Sequence, residues 1–115
     1  MQYLISVYNP AGAHDDGTVY ADEAAMQAAF ARVDAFNTAL QEAGQWVSAA
    51  GLMPPSTAVS ITPDGEATPG PYVEASHFLG GFWIVEAIDL DEATDIAGRA
   101  AAACGNTVEL RQMAG

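Results

Sequence analysis

The apolar residues of this chain change their spacing along the sequence, and this change limits the folds that the chain can adopt. Tyr3, Ile5 and Val7 recur at every second position, as expected for a strand with one buried face. From residue 22 to residue 43 the spacing becomes helical, and one stripe carries Met26, Phe30, Val33, Phe36 and Leu40. The sequence therefore mixes strands and helices from its start.

The later segments continue this mixture. Short strands are predicted at 46–52 and 57–62, a central strand at 82–88 and a closing strand at 106–112. Asp89 followed by Glu92 is typical of a helix start, and Gly105 is placed to end that helix after Cys104. The resulting order, β-α-β-β-β-α-β, predicts a single α+β domain over residues 1–115. Its fold is expected to be a ferredoxin-like sandwich with both helices on one sheet face.

Strand alternation gives the sheet two faces of different character. The face expected to lie under the helices is almost wholly apolar and comprises Tyr3, Ile5, Val7, Val59, Ile61, Val85, Val108 and Leu110. The other face, called the outer face below, mixes apolar and polar residues: Leu4, Ser6, Tyr8, Ser60, Thr62, Phe82, Ile84, Glu86, Glu109 and Arg111. An outer face this apolar predicts coverage by a second subunit, in a homodimer that encloses a semi-polar cavity.

Charge and composition exclude several classes of function. Fifteen acidic residues and three arginines give a net charge of -12, so there is no cluster of cations for nucleic acid or an anionic membrane. The start of the chain lacks the basic and long apolar regions of a signal peptide, and no run is long enough for a membrane span, which predicts a cytosolic protein.

The sequence also predicts neither a metal nor a cofactor. The single cysteine, Cys104, excludes a disulfide within the chain and a cysteine-based metal site. His14, Asp15 and Asp16 are adjacent in sequence and are interpreted as a polar loop, since adjacent residues rarely converge on one ion. The glycines lie in turns and do not form a phosphate-binding loop between a strand and a helix.

Three segments resemble a known family. The run GPYVEASHFLGGFWIVEAIDLDEA, from Gly70 to Ala93, is similar to the signature of YCII-related proteins of the DGPF branch. The segments GLMPPSTAVSI, from Gly51 to Ile61, and NTVELRQM, from Asn106 to Met113, resemble the same branch. Pro69 and Tyr72 depart from its name-giving Asp and Phe, and the first helix lacks the histidine suggested as catalytic in the wider family.

This resemblance implies a dimeric α+β barrel in which two ferredoxin-like protomers pack sheet to sheet. It implies little about chemistry. Some YCII-like relatives act on chlorinated aromatic substrates, and members of the DGPF branch often accompany extracytoplasmic-function sigma factors.

Two residues are the candidates for acid–base chemistry. Glu86 shares the outer face with Phe82 and Ile84, and burial there is expected to raise the pKa of its carboxyl group. His77 is the side chain most easily poised near neutral pH, with Tyr8 as a further hydrogen-bonding partner. The alternatives are a solvated histidine and a Glu86 that is wetted or paired with Arg111.

The candidate binding residues come from the turn-rich segment before the central strand. Tyr72, Glu74 and His77 are predicted to form a stiff lip over the sheet end, where Glu74 and His77 would share one side of a helical turn. Gly80 and Gly81 are expected to let the chain pass close to another backbone. Asn37, inside the helix stripe, is expected to bond to backbone, with a ligand contact as the alternative.

Two functions from different classes remain open at this point. The first is proton-transfer, elimination or isomerisation chemistry on a small organic substrate, with Glu86 as the base and His77 and Tyr8 as partners. The second is a non-catalytic ligand-sensing or accessory role that uses the same cleft. Tyr8, Tyr72, Glu74 and Arg111 are the predicted substrate-binding residues.

Overall fold

The computed structural model describes residues 1–11 and 21–115. The elements are β1 (Gln2–Pro10), α1 (Glu23–Glu42), β2 (Trp46–Gly51), β3 (Val59–Ile61), β4 (Ala67–Pro69), β5 (His77–Glu86), α2 (Leu90–Cys104) and β6 (Val108–Gln112), with a 3-10 turn at Pro55–Thr57. His14, Asp15 and Asp16 lie outside the described residues.

The predicted α+β fold of the ferredoxin-like kind is confirmed. Four strands form the main sheet in the order β2-β5-β1-β6, and each neighbouring pair is antiparallel. The helices connect β1 to β2 and β5 to β6, which places the first strand and the long β5 at the centre of the sheet. This is the arrangement of two split β-α-β units.

The helix ends follow the signals in the sequence. Asp22 caps α1 by accepting a hydrogen bond from the Ala25 amide, and Asp89 caps α2 in the same way from the Glu92 amide at 2.9 Å. Gly105 ends α2 in the left-handed conformation with φ of 74°, which a residue with a side chain rarely adopts. Both ends of α2 therefore carry local caps that the sequence indicates.

The core lies between the two helices and one face of the main sheet. It includes Tyr3, Ile5, Val85 and Leu40, all of which are almost fully buried. The predicted helix stripe is correct for Phe36 and Leu40 but wrong for Phe30, which is 56% exposed. Ala29 takes the inward position instead, because helix positions 29, 33, 36 and 40 face the sheet together.

The segment between β2 and β5 departs from the prediction. β3 and β4 pair only with each other in a separate two-stranded hairpin, so the predicted third strand does not join the main sheet. Val59 and Ile61 do not lie under the helices and are 57% and 68% exposed. We call residues 52–76 the arm.

The described chain is more extended than a compact domain of this length. The radius of gyration over Cα atoms is 15.5 Å, compared with about 13 Å expected for a compact domain of ~115 residues. Within the described part of the chain, no helix combines the length and apolar character that crossing a membrane requires.

The close backbone approach predicted near Gly80 and Gly81 is found at Gly81. Gly81 faces Gly51 across the β2–β5 ladder, and a Cβ added at Gly81 would lie 3.0 Å from the Ala50 carbonyl oxygen. A Cβ added at Gly51 would meet no atom within 4 Å. The two glycines thus differ, because Gly81 permits close contact between the strands and Gly51 borders empty space.

Candidate functional site

The two predicted catalytic residues lie at opposite ends of one strand. His77 is the first and Glu86 the last residue of the ten-residue β5. At about 3.3 Å per residue, they are roughly 30 Å apart. Tyr8 pairs with Leu79 near the His77 end, whereas Glu86 pairs with Gln2. Within one chain, β5 therefore does not bring Glu86 together with His77 or Tyr8, as the acid–base hypothesis requires.

The environment of Glu86 also differs from the prediction. The Met1 amino group lies 3.1 Å from Glu86 Oε2, and the Glu86 side chain is 46% exposed. Hydrogen bonds from this amino group, and then from Gln2, lower the pKa of the Glu86 carboxyl below its ordinary value. The expected rise in its pKa is wrong because the strand end leaves the carboxylate in water beside a cation.

Arg111 is not the partner of Glu86. It pairs with Leu4 across the β1–β6 ladder, and its guanidinium contacts Glu109 Oε1 at 2.7 Å. Three quarters of the Arg111 side chain is exposed, so this ion pair is a surface contact.

The predicted lip residues Tyr72, Glu74 and His77 are all exposed. Tyr72 is 91% exposed, and Glu74 is also exposed. His77 begins a strand, so Glu74 and His77 do not share a helical turn, and the contact of the imidazole is with the neighbouring Ser76 hydroxyl at 3.1 Å. Whether any of these residues touches a ligand stays a prediction.

A test of the Glu86 environment uses pH. Because the pKa is lowered in the folded state, the ion pair stabilises the fold above the ordinary glutamate pKa of about 4.3 and loses its effect as the pH falls through the lowered value. Glu86→Gln should therefore be less stable than the wild type at pH 7, and the difference should close below about pH 4. Urea unfolding across this pH range measures it. The exposed Glu74→Gln is the control, and a difference that widens on acidification would contradict the account.

The structure instead brings together residues around a cavity on the helix-covered side. This cavity of about 380 Å³ lies among α1, the β2–β5 pair and the end of α2. We call it the α1 cavity; its lining comprises Val7, Asn9, Val33, Asn37, Trp46, Ala49, Ala50, Gly51, Gly80, Gly81, Phe82, Trp83, Cys104 and Asn106. Among the described residues of this lining, none has a carboxylate, an imidazole or a cationic side chain.

The polar groups of the α1 cavity are amides. Trp83 Nε1 donates a hydrogen bond of 2.7 Å to Asn37 Oδ1, so the expectation that Asn37 bonds to backbone is wrong. Asn106 Nδ2 donates to the Cys104 carbonyl at 3.3 Å. Trp83 is also held by an edge-to-face contact with Phe36, at 5.3 Å between ring centroids. The indole and the Asn37 amide are thus fixed by their neighbours.

Sequence reasoning identified Asn37 as unusual but missed its partner and the cavity. Asn37 follows Phe36 directly in α1, and its side chain reaches the sheet. The partner lies 46 residues away on another strand, and only the packed fold brings it within reach. Among the described residues, no cluster of three or more histidine, cysteine, aspartate or glutamate side chains is arranged to hold a metal ion.

Comparison with known proteins assigns the chain to a family. A search of curated proteins found no match. The family model described as the YCII-related domain matches residues 1–114, which is nearly the whole chain. That extent agrees with the resemblance carried by the segments between Gly51 and Met113, and the chain belongs to the YCII-related family.

Proposed function

We propose that this protein is a homodimeric small-molecule-binding protein that holds a compact organic ligand in the α1 cavity. The observation that carries this proposal is the cavity itself. Its volume of about 380 Å³ falls near the lower end of the ~300–1,000 Å³ typical of ligand pockets. Its lining is mainly apolar with a few amides, a composition typical of such pockets.

The lining favours binding over acid–base catalysis. Proton transfer at neutral pH requires a titratable group within hydrogen-bond reach of the reacting atom. Among the described lining residues, Cys104 is the one titratable side chain, and its Sγ contacts the carbonyl oxygens of Ala101 and Asn106 at 3.8 and 3.9 Å. The non-catalytic ligand-sensing or accessory role is therefore the function that this site supports best.

A cavity-filling series tests the proposal. Gly51 lines the α1 cavity and lies two residues from Ala49, which packs against the core, so a side chain at position 51 would point to the helix-covered side. Gly51→Ala and then Gly51→Val should reduce ligand binding in steps, because each added methyl group takes cavity volume while no atom within 4 Å opposes the new Cβ.

The probe for this series is benzamide, and the readout is tryptophan fluorescence. The chain has two tryptophans, and both line the α1 cavity, so a ligand there should change the emission of both. Benzamide should also slow the alkylation of Cys104, the single thiol, by iodoacetamide. Equal benzamide binding by the wild type and Gly51→Val would contradict the proposal.

The outer face supports the dimer. Both helices pack on the opposite side of the main sheet, and Leu4, Phe82 and Ile84 are left half-buried on the outer face. The arm adds the exposed Ile61 and Tyr72. Apolar surface of this extent is typical of a subunit interface, and a stable one removes at least ~1,200 Å² from solvent.

A further inference from the structure

The orientation of the Asn37 amide is fixed by its partner. An indole N–H can only donate, so the atom that Trp83 Nε1 contacts at 2.7 Å must be the carbonyl oxygen of Asn37. The Nδ2 group then points away from the indole, and no acceptor among the described residues binds its two hydrogens. Since Asn37 lines the α1 cavity, these two donors are available to a ligand.

The rest of the lining limits the charge and shape of that ligand. Trp46 and Trp83 give the cavity aromatic walls, which suit a flat molecule. Among the lining residues that the structure describes, a buried anion would find no cation, and a buried cation would find no carboxylate. Burial of an unpaired charge is strongly unfavourable, and the net charge of -12 disfavours anions further.

We propose that the α1 cavity binds an uncharged, planar molecule whose carbonyl-type oxygen accepts a hydrogen bond from Asn37 Nδ2. This inference rests on the proposed binding function and adds the ligand class and the residue that recognises it. Trp83 is the positioning residue, because its indole holds the amide with the donors turned away from the ring.

The variant Asn37→Asp tests hydrogen-bond donation from Asn37 to the ligand separately from the bond that Asn37 accepts from Trp83. Aspartate keeps an oxygen for the Trp83 indole N–H but has no hydrogen to offer the ligand. We expect the Kd of benzamide, measured by tryptophan fluorescence, to rise at least about tenfold, as the loss of one buried hydrogen bond would produce. The Trp83 indole N–H signal in the NMR spectrum should persist, which would show that the shared hydrogen bond is intact.

Two controls accompany this variant. Thr38→Asp adds the same charge to the neighbouring, exposed position of α1, outside the cavity lining, and should leave the Kd of benzamide within about twofold. Benzoate has nearly the shape of benzamide but is an anion at pH 7, and its Kd for the wild type should be at least about tenfold higher. The benzoate comparison uses no variant, so it decides the charge requirement even if Asn37→Asp does not fold.

The outcomes distinguish the inference from the proposed function. Benzamide binding that is weakened by both Gly51→Val and Asn37→Asp supports both. Binding that is weakened by Gly51→Val but unchanged in Asn37→Asp, or benzoate binding as tight as that of benzamide, overturns the inference and leaves the binding function standing. Wild-type fluorescence that does not respond to millimolar benzamide, or equal binding by Gly51→Val, overturns both.

Discussion

Trp83→Ala is expected to lower the free energy of unfolding by about 3–5 kcal/mol, the range found when a large aromatic side chain is removed from a core. Trp83 is 5% exposed, contacts Phe36 edge to face and lies on the central strand β5. Truncation would leave a void between α1 and the sheet and would remove the donor that satisfies Asn37 Oδ1. Urea unfolding followed by far-UV circular dichroism measures the loss.

Trp83→Phe is the matched variant, because it keeps an aromatic ring and removes the indole N–H. It should cost less than Trp83→Ala, and about 1–2 kcal/mol of its effect should come from the lost hydrogen bond to Asn37. It should also weaken benzamide binding, since the amide would be free to rotate. A Trp83→Ala variant within about 1 kcal/mol of the wild type would contradict the described packing.

Ile84→Asp is expected to raise the dissociation constant of the proposed dimer at least about a hundredfold. Ile84 lies on the outer face, paired with Leu4 on one side and Ser48 on the other. In a two-fold symmetric dimer, the carboxylate that the substitution introduces would be buried in both subunits without a cation beside it. Burial of this kind costs several kcal/mol. Light scattering over a concentration series measures the shift from dimer to monomer.

Ile88→Asp is the control for this variant. Ile88 is 75% exposed just beyond the end of β5, so the same substitution there adds equal charge away from the outer face. Circular dichroism of Ile84→Asp should show a folded chain. A wild-type monomer at micromolar concentration, or an Ile84→Asp variant that remains a dimer, would exclude the outer face as the interface.

Local patterns were enough to predict the helices and the faces of the main sheet. Asp22 and Asp89 cap helices because their side chains bond to amides three residues away, a contact that the sequence alone determines. The register also agrees with strand alternation: Phe82 pairs with Ser6 and Ile84 with Leu4, as the outer face requires.

The arm and the full length of β5 were not predictable in the same way. His77 to Gly81 contain a histidine and two glycines, and they join the sheet because β1 continues alongside them as far as Pro10. A bulge between Val7 and Tyr8 accommodates the extra residue. Val59 and Ile61 alternate with polar residues as in a strand of the main sheet. Alternation does not specify the partner strand, and β3 pairs with β4 instead.

The candidate site shows the same limit. The sequence placed Glu86 within a central strand over 82–88, whereas β5 ends at Glu86. The direction of its pKa shift depends on an amino group from the far end of the chain. The α1 cavity depends on a contact between Asn37 and Trp83 and on the empty space beside Gly51. Neither feature has a local signature in the sequence.

The proposed ligand site is the α1 cavity and not the outer face. An NMR titration of the isotope-labelled protein with benzamide tests this most directly, because side-chain N–H signals report each region separately. Saturable shifts are expected in the Asn37 Nδ2 and Trp83 Nε1 signals, with the Arg111 and Gln2 signals unchanged. Shifts confined to Gln2, Arg111 and their outer-face neighbours, with Asn37 and Trp83 unmoved, would contradict it.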